Sequence, residues 1–344
     1  MIARRALTGL LAALLLVGCG DGLDRGDAPD EIRFSILSTE NSQTSDRYWQ
    51  PILKDMEKAT GLEVKPFYQS NYTALIEAMR FGQTDVGWFS NQSGMEAVRR
   101  AGGEVFARTT DPSGVDGYKA VLIVGADSGL TLENVLRCDK TLTFGIGDAK
   151  STSGTLAPMT YLFAARGVDP DACFKTVRAA NHQANLFAVA RGVLDVATNN
   201  TTGMRLDRER GGTATTQVKV IWESPTLPED PIIYRKDLDP AVKEKLRQFF
   251  LTYGQADTPE GRRQRENLVA ISIGGFEPAD DNHLLPVREM EATEALLEAR
   301  AGGDAGQIEK AVLALAEIRQ KRIDLAGKAG VPLAAPPEPV EPAE

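Results

Sequence analysis

The feature that most limits this fold is a repeat. Residues 71–88, NYTALIEAMRFGQTDVGW, and residues 181–198, NHQANLFAVARGVLDVAT, align without a gap at an offset of 110. Matches fall at Asn71/Asn181, Ala74/Ala184, Ala78/Ala188, Gly82/Gly192, Asp85/Asp195 and Val86/Val196. Each segment reads as a helix, a glycine stop and a strand. Around both, apolar runs (EIRFSILS, LEVKPFY, DVGWFS, YKAVLIVGA, LTFGIGD, FKTVRAA, LDVATNN and VKVIWES) alternate with helical periodicity. Trp49, Ile52, Leu53 and Met56 share one helix face, and Tyr72, Leu75, Ile76 and Met79 another. Strand–helix alternation met twice predicts an α/β chain with two similar lobes.

Residues 32–118 are assigned to the first lobe and 119–224 to the second. The next strand, DPIIYRKDL, and a helix opened by Asp239-Pro240 return the chain to the first lobe. Two crossings make a hinge, and hinged lobes close on ligands. The first lobe therefore also takes 225–327, ending in two amphipathic helices. Ile308, Val312, Leu315 and Ile318 mark the face that the last helix is expected to bury.

The ends of the chain speak to its location. Arg4 and Arg5 precede LTGLLAALLLVG, an apolar run too short for an ordinary membrane span. It ends in LVGC, which resembles the lipobox of bacterial lipoproteins. That resemblance implies a signal peptide over 1–18, with Cys19 lipidated as the first mature residue. Residues 19–31 then form a polar tether, and the Pro/Glu-rich 328–344 a disordered tail. The expected location is the periplasmic side of a bacterial membrane, with the lipid anchor as the membrane contact. Removing Arg4 and Arg5 leaves 37 basic against 48 acidic residues, moving the net charge from −9 to −11. An acidic body without a basic run excludes nucleic-acid binding. In an oxidising compartment Cys138 and Cys173 are expected to form a disulfide, two buried thiols being the alternative. Neither has a second cysteine nearby, so no metal site is expected.

The stretch DAKSTSGTLAP, residues 148–158, stands where a strand hands over to a helix. Nucleotide motifs fail there: Ala149 precedes Lys150-Ser151, and Lys150 replaces the third glycine of G-x-G-x-x-G. No G-x-S-x-G elbow exists, and a triad of Ser151, His182 and Asp230 is disfavoured. A chain that catalyses nothing and needs no cofactor is expected. Anion binding fits better, because unpaired N–H groups and the dipole of a helix N-terminus favour negative charge. Pro158 is cheap only in a first turn, which places the helix start near Gly154 or Thr155. Ser151, Thr152 and Ser153 then form its mouth, and Lys150 is either an added charge or a solvated flank. Through the repeat, Tyr72 and His182 fall at matching helix starts, the ends that face the crevice of an open α/β sheet.

GDAKSTSGTLAP, NHQANLFAVARGVLDVATNNT and SPTLPEDPIIYRKDL together resemble the phosphate/phosphonate-binding proteins of ABC importers, the PhnD-like family, over roughly residues 31–290. DVGWFS and GYKAVLIV fit as well. The resemblance implies the type II periplasmic binding protein fold. It implies phosphonate oxygens held by Ser151, Thr152, Ser153 and His182, with Tyr72 and Tyr118 lining the cleft and Asp230 as an acceptor. It further implies delivery of the ligand to a membrane permease and its ATPase, by a protein expected to be a monomer. Members that bind 2-aminoethylphosphonate carry a Glu after Asn-Asn-Thr, and this chain has Thr202 there. A different phosphonate, phosphite or phosphate is thereby favoured over the aminoethyl ligand. A periplasmic ligand sensor of the same fold is the alternative role.

Overall fold

A computed structural model describes residues 30–329. The signal segment with Cys19, all but the end of the tether, and the Pro/Glu-rich tail beyond 329 lie outside the described residues.

The first half of the chain runs β1 (Glu31–Ile36), α1 (Ser42–Thr60), β2 (Glu63–Tyr68), α2 (Tyr72–Arg80), β3 (Val86–Trp88), α3 (Asn91–Arg100) and β4 (Gly103–Thr110). The chain then crosses to β5 (Ala120–Gly125), α4 (Leu132–Val135) and β6 (Thr143–Ile146). A widely wound helix follows over 152–166. Next come α5 (Pro170–Cys173), β7 (Thr176–Ala179), α6 (His182–Ala190), β8 (Val196–Asn200), α7 (Thr201–Glu209) and β9 (Val218–Glu223). The return crossing leads to β10 (Pro231–Arg235), α8 (Pro240–Thr252), α9 (Pro259–Val269), β11 (Gly275–Pro278), α10 (Leu285–Gly302) and α11 (Ala305–Ala329).

The strands form two sheets, ordered β2-β1-β3-β10-β4-β11 and β7-β6-β8-β5-β9. In each, three parallel strands run in the order second, first, third. An antiparallel strand that follows a crossing pairs next, β10 in one sheet and β5 in the other. The repeat is thus visible in topology as well as in sequence. Its matched residues do matched work. Asn71 and Asn181 cap α2 and α6 by accepting the amides of Ala74 and Ala184. Gly82 and Gly192 take φ of +65° and +68°, the left-handed turn that ends each helix. Asp85 and Asp195 accept the first-strand amides of Arg33 and Thr143. Val86 and Val196 are buried in the sheet centres.

β4 and β11 were not expected as strands. β4 is GEVFARTT, whose polar alternation on one face hides its place between β10 and β11, and β11 has only four residues. Cys138 and Cys173 are joined by a disulfide, and among the described residues no cluster could hold a metal ion. The expected face of the last helix is only partly right. Leu315 is buried and Ile308 and Ile318 are half-buried, but Val312 is 41% exposed. α11 packs mainly on α10, so it covers a narrow stripe.

One apolar core spans both lobes, at the seam between them. It joins Leu75, Ile76, Met79, Phe89 and Met95 of the first lobe to Leu156 and Ala157 of the second, with Leu284, Val287 and Met290 from α10 and the turn before it.

Candidate functional site

A cleft of about 490 Å³ opens at the carboxyl ends of the parallel strands of both sheets. The loop after β6 brings in Ser151 and the first turn of the helix behind it Ser153; the end of β3 brings Trp88 and Ser90, and the end of β8 brings Asn199 and Asn200. Tyr72 and His182 are the first residues of α2 and α6, so each sidles into the cleft from a helix N-terminus.

The 152–166 helix starts two or three residues earlier than expected. Ser151 is its cap, and its Oγ accepts the Gly154 amide at 3.0 Å. Pro158 therefore sits in the second turn rather than the first. The helix accommodates it by widening: Thr152–Leu156 and Met159–Phe163 are π-wound. Proline has no N–H to give the Gly154 carbonyl. That carbonyl instead accepts the Gly147 amide at 2.9 Å and the Thr198 hydroxyl at 2.7 Å. The mouth of the helix is thereby tied to the ends of β6 and β8. The tie needs two glycines face to face, since a Cβ on Gly147 would lie 2.4 Å from the Gly154 Cα.

Ser151, Ser153 and His182 converge. The His182 Nε2 lies 3.4 Å from the Ser151 Oγ and 3.5 Å from the Ser153 Oγ. Burial lowers the imidazole to about 4, so it is neutral at pH 7, and its Nδ1 has no partner. A ring carrying its proton on Nε2 is a donor toward the serines. The hydroxyl of Tyr72 faces Ser151, and burial, with Asp230 and Asp148 nearby, keeps the phenol protonated. Tyr118, also buried and protonated, faces Ser153. The grip thus consists of neutral donors at a helix N-terminus. Lys150 does not line the cleft, and neither does Thr152. The Thr152 hydroxyl oxygen is fully buried and accepts the Gln92 amide of the other lobe at 2.9 Å.

The opposite wall is acidic. Asp230 accepts from the Trp88 indole at 3.1 Å and faces Tyr118 and Asn91. Burial, and then the adjacent Glu229 carboxylate, raise it well above the ordinary carboxylate range. Burial raises Glu229 too; one oxygen accepts the Thr109 hydroxyl at 2.9 Å, and Oε1 has no partner. Thr202 lines the cleft from the start of α7, half-buried.

Several cleft residues escaped the sequence reading: Trp88, Ser90, Asn199, Asn200 and Glu229. Asn199 and Asn200 had a signal, being two amides at the end of a strand buried on both faces. Their side chains position the grip: Asn200 Nδ2 donates to the Ser153 Oγ at 3.0 Å, and Asn199 Nδ2 to the His182 carbonyl at 2.9 Å.

Comparison with known proteins gives this geometry a family. Residues 34–284 match the model of the periplasmic substrate-binding protein of phosphonate ABC transporters. The chain belongs to that family. It is 39% identical to the phosphonates-binding periplasmic protein of Escherichia coli K12 over 291 residues, 84% of this chain and 83% of the relative. The crystal structure of a binding-protein component of an ABC phosphonate transporter from Pseudomonas aeruginosa superposes with a TM-score of 0.81 at 39% identity. That match covers 87% of this chain and 99% of the other. Prochlorococcus marinus PhnD1 in complex with methylphosphonate shares the fold, with a TM-score of 0.66 at 21% identity over 76% of this chain and 97% of PhnD1. The architecture is that of the type II periplasmic binding proteins.

Proposed function

We propose that this chain is the substrate-binding component of an ABC importer. It captures a small phosphonate between its lobes and delivers it, without chemical change, to a membrane permease driven by an ATPase. The observation that carries this reading is the convergence of Ser151, Ser153, His182 and Tyr72 on the N-terminus of the 152–166 helix. Three hydroxyls, an imidazole N–H and a helix dipole suit a tetrahedral oxyanion. Thr152 supports the grip from outside the cleft, by holding Gln92. The body is anchored through a lipid on Cys19 and works as a monomer on the periplasmic side of its membrane.

Tyr118, Asp230, Glu229 and Thr202 face the ligand's substituent. Thr202 gives a hydroxyl where the aminoethyl binders carry a carboxylate, and Glu229 adds a carboxylate beside Asp230. Phosphite and phosphate, which have no substituent, leave that wall unused. Calorimetry against methylphosphonate, 2-aminoethylphosphonate, phosphite, phosphate and sulfate tests the reading. A phosphonate is expected to bind most tightly, and no heat from any phosphorus oxyanion would refute it.

A further inference from the structure

Helix α7 and the residue after it carry two arginines that the ligand reading does not use, the second of which, Arg210, lines the cleft. Arg210, just past its end, sends Nη1 to both oxygens of Glu40, at 2.7 and 2.9 Å. Its Nε and Nη2 donate to the Ala270 carbonyl at 3.1 and 2.9 Å, and the guanidinium lies 3.7 Å over the ring of Tyr48. Arg205, one turn and a residue earlier, donates to Asp111 at 2.6 Å and to the Ser272 hydroxyl at 2.8 Å. α7 belongs to the second lobe, and every one of these partners belongs to the first. Ser272 takes a φ of +58°, a left-handed conformation uncommon outside glycine, and its carbonyl also accepts from Arg205. That conformation belongs to the turn that ends α9, where the Ser272 amide donates to the Val269 carbonyl at 2.8 Å and the Ile273 amide to the Leu268 carbonyl at 3.0 Å; Arg205 thus docks on a capped helix end of the other lobe.

The opposite end of the same helix supports the grip. Asn200 caps α7 while holding Ser153, and Asn199 holds His182. A single two-turn helix thus joins the anion site to the rim of the other lobe. The Arg210 and Glu40 side chains are only 14% and 12% exposed. A pair so buried is close to break-even in net stability, because desolvation offsets attraction. On opening, both ions regain water. The contact therefore fixes the geometry of the closed state without making it permanent.

We infer that Arg205 and Arg210 are positioning residues for capture: they clasp the first lobe and set the fraction of molecules already closed before ligand arrives. Apparent affinity scales with that fraction. The inference rests on the phosphonate reading only where affinity is concerned.

The test uses the full-length protein with nitroxides attached through Lys58→Cys and Val193→Cys, on exposed positions of the two lobes. Cys138 and Cys173 are bonded to each other and take no label. Ligand-free interlobe distances are read by pulsed electron resonance. The parent protein is expected to show mainly the short, closed distance. Arg210→Ala should move most of the population to a longer one, and Arg210→Lys, which keeps the charge but loses the planar fork, should fall between. Stopped-flow mixing with methylphosphonate and 2-aminoethylphosphonate should then show dissociation from Arg210→Ala about tenfold faster, with association no slower. Unchanged distances in Arg210→Ala and in the Arg205→Ala/Arg210→Ala double variant overturn the inference. Silence of the parent protein toward both phosphonates overturns the ligand reading instead, and the ligand-free distances still decide the clasp.

Discussion

A histidine that titrates at about 4 carries no positive charge at neutral pH, so His182 can hold an anion only through its N–H. The same shift links it to stability. The unfolded ring takes up a proton near 6.5 and the folded ring only near 4, so the unfolded state binds more protons between those values. Stability is full above pH 6.5 and falls as pH drops through this window, by about 3 kcal/mol for this group. In ligand-free protein, His182→Gln should flatten that part of the pH dependence of thermal unfolding. Identical slopes in variant and parent would show that the ring is not buried neutral. Thr202 offers a second residue-scale check. A carboxylate there would sit at the N-terminus of α7 and near the ligand's tail. Thr202→Glu should tighten 2-aminoethylphosphonate about tenfold and leave methylphosphonate unimproved, as measured by calorimetry. Legibility at this scale depended on the neighbourhood. Ser151, Ser153, His182 and Tyr72 could be read because helix starts and a repeat placed them. Glu229 and Trp88 could not, because a strand end and a crossing bring them to the cleft, and no local pattern records that.

The 152–166 helix shows where local rules mislead. Pro158 excluded a start before Gly154 on the assumption of ordinary α-helical winding. π-winding and two outside donors removed the conflict, and neither is written in the residues around the proline. The two glycines that permit the arrangement are visible in LTFGIGD and TSG, but no local pattern says that they face each other. Gly147→Ala tests the element directly. Its Cβ would meet the Gly154 backbone, and backbone cannot swing aside as a side chain can. A loss of about 2 kcal/mol or more in denaturant unfolding is expected, with phosphonate affinity weakened further because the helix mouth shifts. Full stability in this variant would mean that β6 and the helix are not in contact.

At the scale of the molecule, the two-lobed plan was legible because each lobe repeats the same units, and six matched residues hold matched positions in the sheets and caps. The core shared by the two lobes was not legible, since it draws on helices far apart in sequence. That core carries a consequence for ligand capture. The lobes cannot part fully without wetting Leu156 and Ala157 on one side and Leu75, Met79 and Val287 on the other. Hydration of apolar surface raises heat capacity, and its removal lowers it. In the Arg210→Ala variant, whose lobes are expected to be mostly open before ligand arrives, closure around even a fully hydrophilic phosphonate should therefore give a negative heat-capacity change, measurable as binding enthalpies that become more favourable with temperature. A temperature-independent enthalpy would mean that the lobes do not separate at this seam. The signature would report the protein's own oil moving in and out of water, with the small polar guest setting only the direction.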